Sequence, residues 1–553
     1  MQASEGGATG AVEGVAGGMT PEAAVAKVVQ SEPLFAVEEV EVRGVTFRAF
    51  KNIPPTVPAL MKAGWARHGD GQLEYLVYEA DRYSYADFCG EVNRLAQALQ
   101  ARGIGRGDRV ALAMRNYPEL LILVLAISST GATVVFLNAW WTTPELRYAL
   151  SDSGARMVFA DAARLERLAP LKADLGLTLI GLRDGEGAGD DSYVALRDGA
   201  ANTEAPAVVI DTDDDFAIMY SSGTTGDPKG VMLTHSNLRF GARASADLRQ
   251  MRPGDVVYGV LPMTHVFGLV SVLMAAVSAG AKVRQESRFS AAKLHAATHE
   301  DVTILPAVPQ MHALVMQYSR ERGMPKLESP CLRYVSSGGA PLDPAWKRKA
   351  EAFYELPLQN GFGMTETCSG ASATTNPIGS PDTSVGPITP GTECRIDDQA
   401  PGGNGAGEGE VLIRGPHVMK GYYRNPTETA KTIDAEGWLH TGDLGKLDET
   451  GKLHILGRSK ELIIHGGFNV YPPEVEAALN DHPQVVQSAV VGRRRAGDEE
   501  VLAFVQVAPG DEVSPEELRA FVKERLTGYK RPAQIIVATD LPAAPTGKIL
   551  KHK

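Results

Sequence analysis

Cysteine is scarce here and carries no pattern. Cys89, Cys331, Cys368 and Cys394 are the only four in 553 residues, and none forms a CxxC pair. That excludes a disulfide scaffold and the common zinc frameworks, and points to a reducing, cytoplasmic setting. Basic charge is also short: 55 Lys and Arg stand against 67 Asp and Glu, for a net charge of −12. The basic face of a nucleic-acid binder is therefore not expected. The first 18 residues are mostly Gly, Ala, Val and Glu, with no basic cluster and no long apolar run. They read as the start of a disordered tail over residues 1–30 rather than a secretory leader, with Met19 as an alternative start. Repeats and heptads are absent. The one long uncharged stretch, Leu120–Thr143, is interrupted by "SSTGAT". It reads as a buried helix from about Pro118, a stop at Gly131 and a strand "TVVFLN", not as a membrane span.

What is present is alternation. "RVALAM", "MVFA", "FAIMY", "VVYGVLP", "KVRQE", "VTILPAVP" and "LRYVSSG" are short apolar runs with strand character. "VNRLAQALQARG", "PELRYALSDSG", "AAKLHAATHE" and "PAWKRKAEAFY" have helical spacing and fall between them. Strand and helix in turn predict layered α/β structure with mainly parallel sheets. The Gly- and Asp-rich stretch 180–215 reads as an exposed connection. From 385 to 457 the pattern becomes hairpin-like, and after Gly457 a compact α+β unit of some ninety residues follows. The expected organisation is an N-terminal domain over 31–457, a hinge at 458–460 and a small C-terminal unit over 461–553.

The chemistry sits in loops at strand ends. "YSSGTTGDPKGV" concentrates hydroxyls, glycines and a lysine around a single carboxylate, Asp227. Glycines let backbone amides approach a ligand, and Ser221, Ser222, Thr224, Thr225 and Lys229 add donors, so the loop suits phosphate. It lacks the Walker A spacing. Taken alone, it is equally a surface turn. "QNGFGMTET" places Thr365 and Glu366 after an apolar strand, where Glu366 is either a ligand for Mg²⁺ or a plain surface carboxylate. "SSGGAPL" at Ser336–Leu342 suits a flat ring lying on backbone. "HTGDLG" puts Asp443 in a tight turn, able to accept two ribose hydroxyls. Arg458 and Lys460 lie in "GRSKELIIHGGF", and Lys548 in the glycine turn "PTGKIL".

Together these segments resemble the adenylate-forming superfamily, which includes acyl-CoA synthetases, peptide-synthetase adenylation domains and beetle luciferases, with bacterial fatty acyl-CoA ligases the most similar branch. "YSSGTTGDPKGV", "LPMTHVFGL", "SSGGAPL", "NGFGMTET", "TGD", "GRSKELI" and "PTGKIL" occur in the family's order, and the resemblance spans about residues 40 to 550. It implies a large N-terminal domain of layered α/β subdomains with a distorted β-barrel portion, and a small, mobile α+β C-terminal lid. It implies ATP, Mg²⁺ and CoA as co-substrates and cofactor, a small-molecule acid as partner, and leaves a homodimer open. Carried over residue by residue, Ser221, Ser222, Gly223, Thr224, Thr225, Gly226 and Lys229 would hold the β- and γ-phosphates. Gly338, Gly339, Ala340 and Pro341, with Asn360, Gly361, Phe362, Gly363 and Met364, would frame adenine. Thr365 would touch the α-phosphate, Glu366 would bind Mg²⁺, and Asp443 and Arg458 would fix the ribose. Lys548 would bridge the acyl carboxylate and the α-phosphate. Lys460 would serve as the hinge, and Gly466, Gly467 and Phe468 would approach the pantetheine of CoA. Two departures stand out: Phe362 where many members have Tyr, and Ile464 where luciferase-like members carry Lys.

The acid is less legible. Amino-acid-activating relatives usually place an Asp near the "LPMTHVFGL" segment, and none occurs between Val256 and Arg284. An acid without an α-amine is expected. His265, Phe267, Gly339, Gly363 and Cys368 are the expected acyl-site residues, and the small side chains of "CSGASATT" suggest room for length or bulk. "LNAWWTTPEL" echoes some bacterial fatty-acyl ligases. No carrier domain follows Lys548, and the Glu366–Asp443 spacing lacks the fatty acyl-AMP ligase insertion, so CoA is the expected acceptor. The preferred expectation is a ligase for medium- or long-chain fatty acids. An aryl, arylpropenoic or ring-containing acid is the alternative, and an inactive nucleotide-binding homologue the more distant one.

Overall fold

The computed structural model describes residues 37–51, 53–66, 71–200, 204–221, 228–339, 342–495, 498–507, 510, 512–543 and 549–551. Two eight-stranded sheets form the large N-terminal domain. The first runs, edge to edge, through Gly421–Tyr422, Lys229–Thr234, Asp215–Ser221, Thr133–Phe136, Arg109–Ala113, Met157–Ala160, Thr178–Gly181 and Asp191–Ser192. All its pairings are parallel except those made by Lys229–Thr234. The second runs through Gly370–Ala373, Leu358–Gly363, Tyr334–Ser337, Ile304–Ala307, Val256–Gly259, Lys282–Gln285, Glu74–Tyr78 and Asp81–Ser84, parallel except at its two edges. Each apolar run picked out above is a strand of these sheets, because a strand covered on both faces needs side chains that tolerate burial on both.

The helices follow their capping signals. Ser84 caps Tyr85–Ala101 with a reciprocal Asp87 box, and Thr142 caps Thr143–Ser153 with Glu145, which ends at a left-handed Gly154. The uncharged stretch resolves as expected. Helix Pro118–Ser129 has ten buried residues, Gly131 turns the chain at φ 81°, and Thr133–Phe136 follows as a strand. A helix apolar on every side belongs in a core or a membrane. Among the described residues no helix is long and apolar enough to cross a membrane, and this one is surrounded by the main hydrophobic cluster.

The stretch 180–215 departs from expectation. Asp191–Ser192 adds an edge strand to the first sheet, and helix Tyr193–Asp198 buries Tyr193 and Leu196. Two apolar anchors in a polar segment sufficed to dock it. The barrel-like portion is an antiparallel sheet of four strands, Glu393–Asp397, Gly409–Arg414, Leu439–Leu447 and Leu453–Arg458. Single bridges at Ser372–Ile388 and Pro387–Lys452 tie it to the second sheet. The C-terminal domain has the hairpin Ile463–His465/Phe468–Val470 and a three-stranded sheet, Val485–Arg495, Asp498–Val507 and Gln534–Ala538. Helices Pro472–Asn480 and Pro515–Lys523 pack with these strands around a separate hydrophobic cluster.

Candidate active site

Parallel strands place all their C-terminal ends on one edge, where ligands of open α/β sheets bind. In the second sheet that edge carries the segments after Gly259, Ala307, Ser337 and Gly363. They are the segments "VLPMTHVFG", "VP", "GG" and "MTET". The register pairs Ser336 with Gln359 and Ser337 with Asn360, so Gly338–Gly339 and Asn360–Gly363 emerge side by side. Gly339 lies at φ 80°. A Cβ on Gly338 would sit 3.1 Å from the Phe267 ring, and one on Gly363 only 2.3 Å from the Ser369 carbonyl oxygen. Gly363 is therefore required by close approach of backbone, whereas at Gly338 the Phe267 ring would have to shift by a few tenths of an ångström. Asn360 is buried, and its Oδ1 has no hydrogen-bond partner among the described residues.

The first sheet contributes a second wall. Ser221 and Lys229 face each other across the antiparallel pair that ends at the hydroxyl-rich loop. Tyr422 pairs with Val231 on the neighbouring edge strand, which brings its ring beneath Lys229, 4.9 Å from Nζ. Lys229 also pairs with Glu428 at 2.5 Å. The Tyr422 hydroxyl donates to Glu366 Oε1 at 3.0 Å, and the Met419 amide donates to the Glu366 carbonyl at 2.8 Å. Thr365, Glu366 and Thr367 form a single 3-10 turn. Glu366, Lys229 and Tyr422 thus converge where the two sheets meet.

Burial holds the Glu366 carboxyl above the ordinary glutamate value, opposed by the Tyr422 hydrogen bond and by the charges of Arg458 and Lys229. A raised value means that the folded protein binds this proton more tightly than the unfolded chain does. The group's contribution to stability is then greatest at acidic pH and declines as pH rises through the raised value. Glu366→Gln, whose amide oxygen can still accept from Tyr422, is accordingly expected to raise the melting temperature of ligand-free protein at pH 8, with the gain vanishing near pH 4. Calorimetry at the two pH values checks this, and a lower melting temperature at pH 8 contradicts it.

The four-stranded sheet supplies the third wall. Asp443 and Arg458 are cross-strand partners, and Arg458 Nε lies 3.0 Å from Asp443 Oδ1. Asp443 is buried, and its amide donates to Thr441 Oγ1. Lys460 lies in the 3-10 turn Ser459–Glu461, directly after Arg458. Gly466 and Gly467, at φ 58° and 79°, make the two-residue turn of the C-terminal hairpin, as such turns require. The Gly466 amide donates to Asp498, and Phe468, 57% exposed, stacks on Tyr529. These contacts lie within the C-terminal domain.

A narrow cleft, partly open to solvent, has His265, Phe267, Gly338, Gly339, Asn360, Gly361, Phe362 and Gly363 along it. His265 Nδ1 accepts from the Phe267 amide at 3.2 Å and so caps the short helix that presents Phe267. Cys368 departs from expectation. Its left-handed backbone, φ 57°, turns the side chain into the core, fully buried, and it is the following Ser369, Gly370, Ser372 and Ala373 that line the cleft. Ser222, Gly223, Thr224, Thr225, Gly226, Ala340, Pro341 and Lys548 lie outside the described residues, as does the expected tail 1–30.

Tyr422 and Glu428 escaped the sequence reading, although "KGYYRNPTET" held the signal: paired aromatics on an edge strand beside a helix start. Arg249 and Ser271 also line the cleft and were missed. Arg249 closes helix His235–Leu248 and Ser271 lies in the π-helical turn Leu269–Met274, a distortion that apolar periodicity does not announce.

Residues 64–423 match the AMP-binding enzyme family and residues 474–548 match the AMP-binding enzyme C-terminal domain. The chain belongs to this family, the adenylate-forming enzymes, and to its acid-thiol ligases. It is 33% identical over 490 residues to a 4-coumarate–CoA ligase of Arabidopsis thaliana, covering 85% of this chain and 86% of that protein. It is 35% identical over 476 residues to the long-chain-fatty-acid–CoA ligase FadD13 of Mycobacterium tuberculosis, covering 85% and 92%. Among solved structures, ATP-bound MatB from Rhodopseudomonas palustris superposes with a TM-score of 0.78 at 32% identity, covering 90% of this chain and 98% of that one.

Proposed function

We propose that the protein joins a compact, ring-containing carboxylic acid to CoA through an acyl-adenylate. A carboxylate is a poor acyl donor because its leaving group would be oxide. Attack of the carboxylate oxygen on the α-phosphorus of ATP expels pyrophosphate, and a thiol then displaces AMP. The reacting groups are both anionic, so the site must supply aligned donors and cations. Lys229, Ser221 and the loop between them hold the β- and γ-phosphates, which requires Lys229 to leave Glu428. Thr365 contacts the α-phosphate. Asp443 accepts the ribose hydroxyls, held in place by Arg458. Gly338, Gly339 and the Asn360–Met364 strand end receive adenine, with the unpartnered Asn360 Oδ1 as acceptor for its amino group.

Among the described residues no group of three or more His, Cys, Asp or Glu side chains is placed to hold a metal. Glu366 alone fits Mg²⁺, a cation that commonly takes one carboxylate and completes its shell with phosphate and water. Bound there, the ion would offset charge on the phosphates. Tyr422 would fix the orientation of the carboxylate.

The observation that carries the choice of acid is the cleft wall. Ser336, Ser337, Ser369 and Ser372 all lie along the cleft, and their buried hydroxyl oxygens have no partner among the described residues. A long alkyl chain would leave them unsatisfied, at about 1–3 kcal/mol for each such group. Polar substituents on a ring would satisfy them. The straight-chain fatty acid favoured by the sequence becomes the second reading, supported by the likeness to a fatty-acid ligase. Residues 458–460 act as the hinge of a C-terminal lid that brings Lys548 for the first step and Gly466–Phe468 for the second.

Pyrophosphate release over a panel of acids, with and without CoA, tests the reading. Substituted benzoates and arylpropenoates are expected to exceed straight-chain acids in kcat/KM, with amino acids inactive. Highest kcat/KM on long-chain fatty acids overturns the ring-acid assignment and leaves the ligase chemistry intact.

A further inference from the structure

The far wall of the cleft carries a cation that no carboxylate among the described residues neutralises. Arg249 sits at the C-terminal end of helix His235–Leu248 and lines the cleft together with Tyr334. Its Nη1 donates to two carbonyls, Ser245 at 3.2 Å and Ser271 at 2.8 Å. Its Nε is sealed from solvent and has no acceptor among the described residues. Burial lowers its pKa, and the only group opposing that shift is the Tyr334 phenol, not a carboxylate. The neighbouring Arg333 differs: it is neutralised by Asp255 at 2.5 Å. Tyr334 is itself held protonated by burial, so its hydroxyl is a donor. An uncompensated buried guanidinium costs stability unless a ligand supplies the missing acceptor.

The second carbonyl is available because the backbone is distorted there. Leu269–Met274 forms a π-helical turn, which widens the helix and turns the Ser271 carbonyl toward Arg249. Such turns are frequent at functional sites. The carbonyls fix the guanidinium at the cleft wall without satisfying its charge.

We propose that Arg249 and Tyr334 form a subsite for a second carboxylate, carried by the acid at the end remote from the carboxyl that is activated. The inference rests on the acyl-CoA ligase reading and narrows its substrate to a compact acid with a distal anionic group. The reacting carboxylate and the distal one play distinct parts: the first attacks phosphorus, the second is only bound. Hydrogen bonds to charged groups contribute about 1.5–3 kcal/mol each, so loss of the distal carboxylate is expected to lower kcat/KM by about 10–100-fold.

The test uses matched ring acids that bear a distal carboxylate, its methyl ester, or hydrogen. Thioester formation is measured with the wild-type enzyme, Arg249→Gln, Arg249→Lys and Tyr334→Phe. The wild type is expected to prefer the distal carboxylate by 10-fold or more, expressed mainly in KM. In Arg249→Gln the ratio between carboxylate and hydrogen falls toward one, and Arg249→Lys restores part of it. A wild-type enzyme without preference overturns the subsite whether or not any variant folds. So does an Arg249→Gln variant that loses activity equally on all three acids, because that is the signature of a structural role. Failure of every acid to yield a CoA thioester overturns the ligase reading itself, and the subsite with it.

Discussion

In single-turnover assays Lys548→Ala is expected to lose about 10²–10³-fold in acyl-adenylate formation, while a supplied acyl-adenylate still passes to CoA at a substantial rate. The asymmetry follows from charge. In the first half-reaction a carboxylate meets a triphosphate, and a cation aimed at both relieves their repulsion as the new bond forms. In the second, a thiol meets a neutral acyl carbon and AMP departs, so the same cation has little to do. Lys548 belongs to the segment "PTGKIL", and Ala543 and Ile549, on either side of this lysine in sequence, pair as an isolated bridge. Equal losses in both half-reactions would contradict the role.

Lys460→Pro is expected to divide the two steps in the opposite sense. Acyl-adenylate formation stays within about tenfold, and thioester formation from that adenylate is nearly abolished. The strand Leu453–Arg458 belongs to the four-stranded sheet of the large domain, and the next strand, Ile463–His465, belongs to the C-terminal hairpin. Only Ser459–Leu462 lies between them, with Lys460 at the centre of the 3-10 turn. The C-terminal domain has its own hydrophobic cluster, from Ile463 through Val490 to Ile535, so it can turn as a body. Such rotations concentrate their φ/ψ change in one or two residues. Proline holds φ near −65°, within the range of a 3-10 turn. The variant is therefore compatible with the turn and loses the φ freedom that a pivot at this residue needs. Thioester formation at the wild-type rate would show that the lid pivots elsewhere.

Much of the fold was legible because its strands are continuous apolar runs and its helices carry explicit ends, such as Ser84 with Asp87 and Gly154. The hairpin Val37–Val42/Val45–Phe50 and the strands Glu74–Tyr78 and Asp81–Ser84 were not, because their alternation is short and mixed with charge. The residues assigned to the nucleotide were legible through glycine turns and spaced charges, features that survive in one dimension. Arg249 was not. Its neighbours Ser271 and Tyr334 come from a helix and a strand 22 and 85 positions further along the chain, and its isolation from carboxylates among the described residues exists only in three dimensions. Cys368 misled for the opposite reason: a small residue among small residues, whose backbone turns its side chain away from the cleft.

The central claim is that the acid is activated at phosphorus, with its own oxygen as the attacking atom. An acid labelled with ¹⁸O at both carboxylate oxygens distinguishes this from every other use of ATP. One labelled oxygen remains in the thioester carbonyl, and the other stays on the α-phosphorus after the thiol displaces AMP. Mass spectrometry of the products of a single turnover with CoA should therefore find one ¹⁸O in AMP and none in pyrophosphate. Unlabelled ADP alongside labelled orthophosphate, the outcome of activation at the γ-phosphate, would contradict the account.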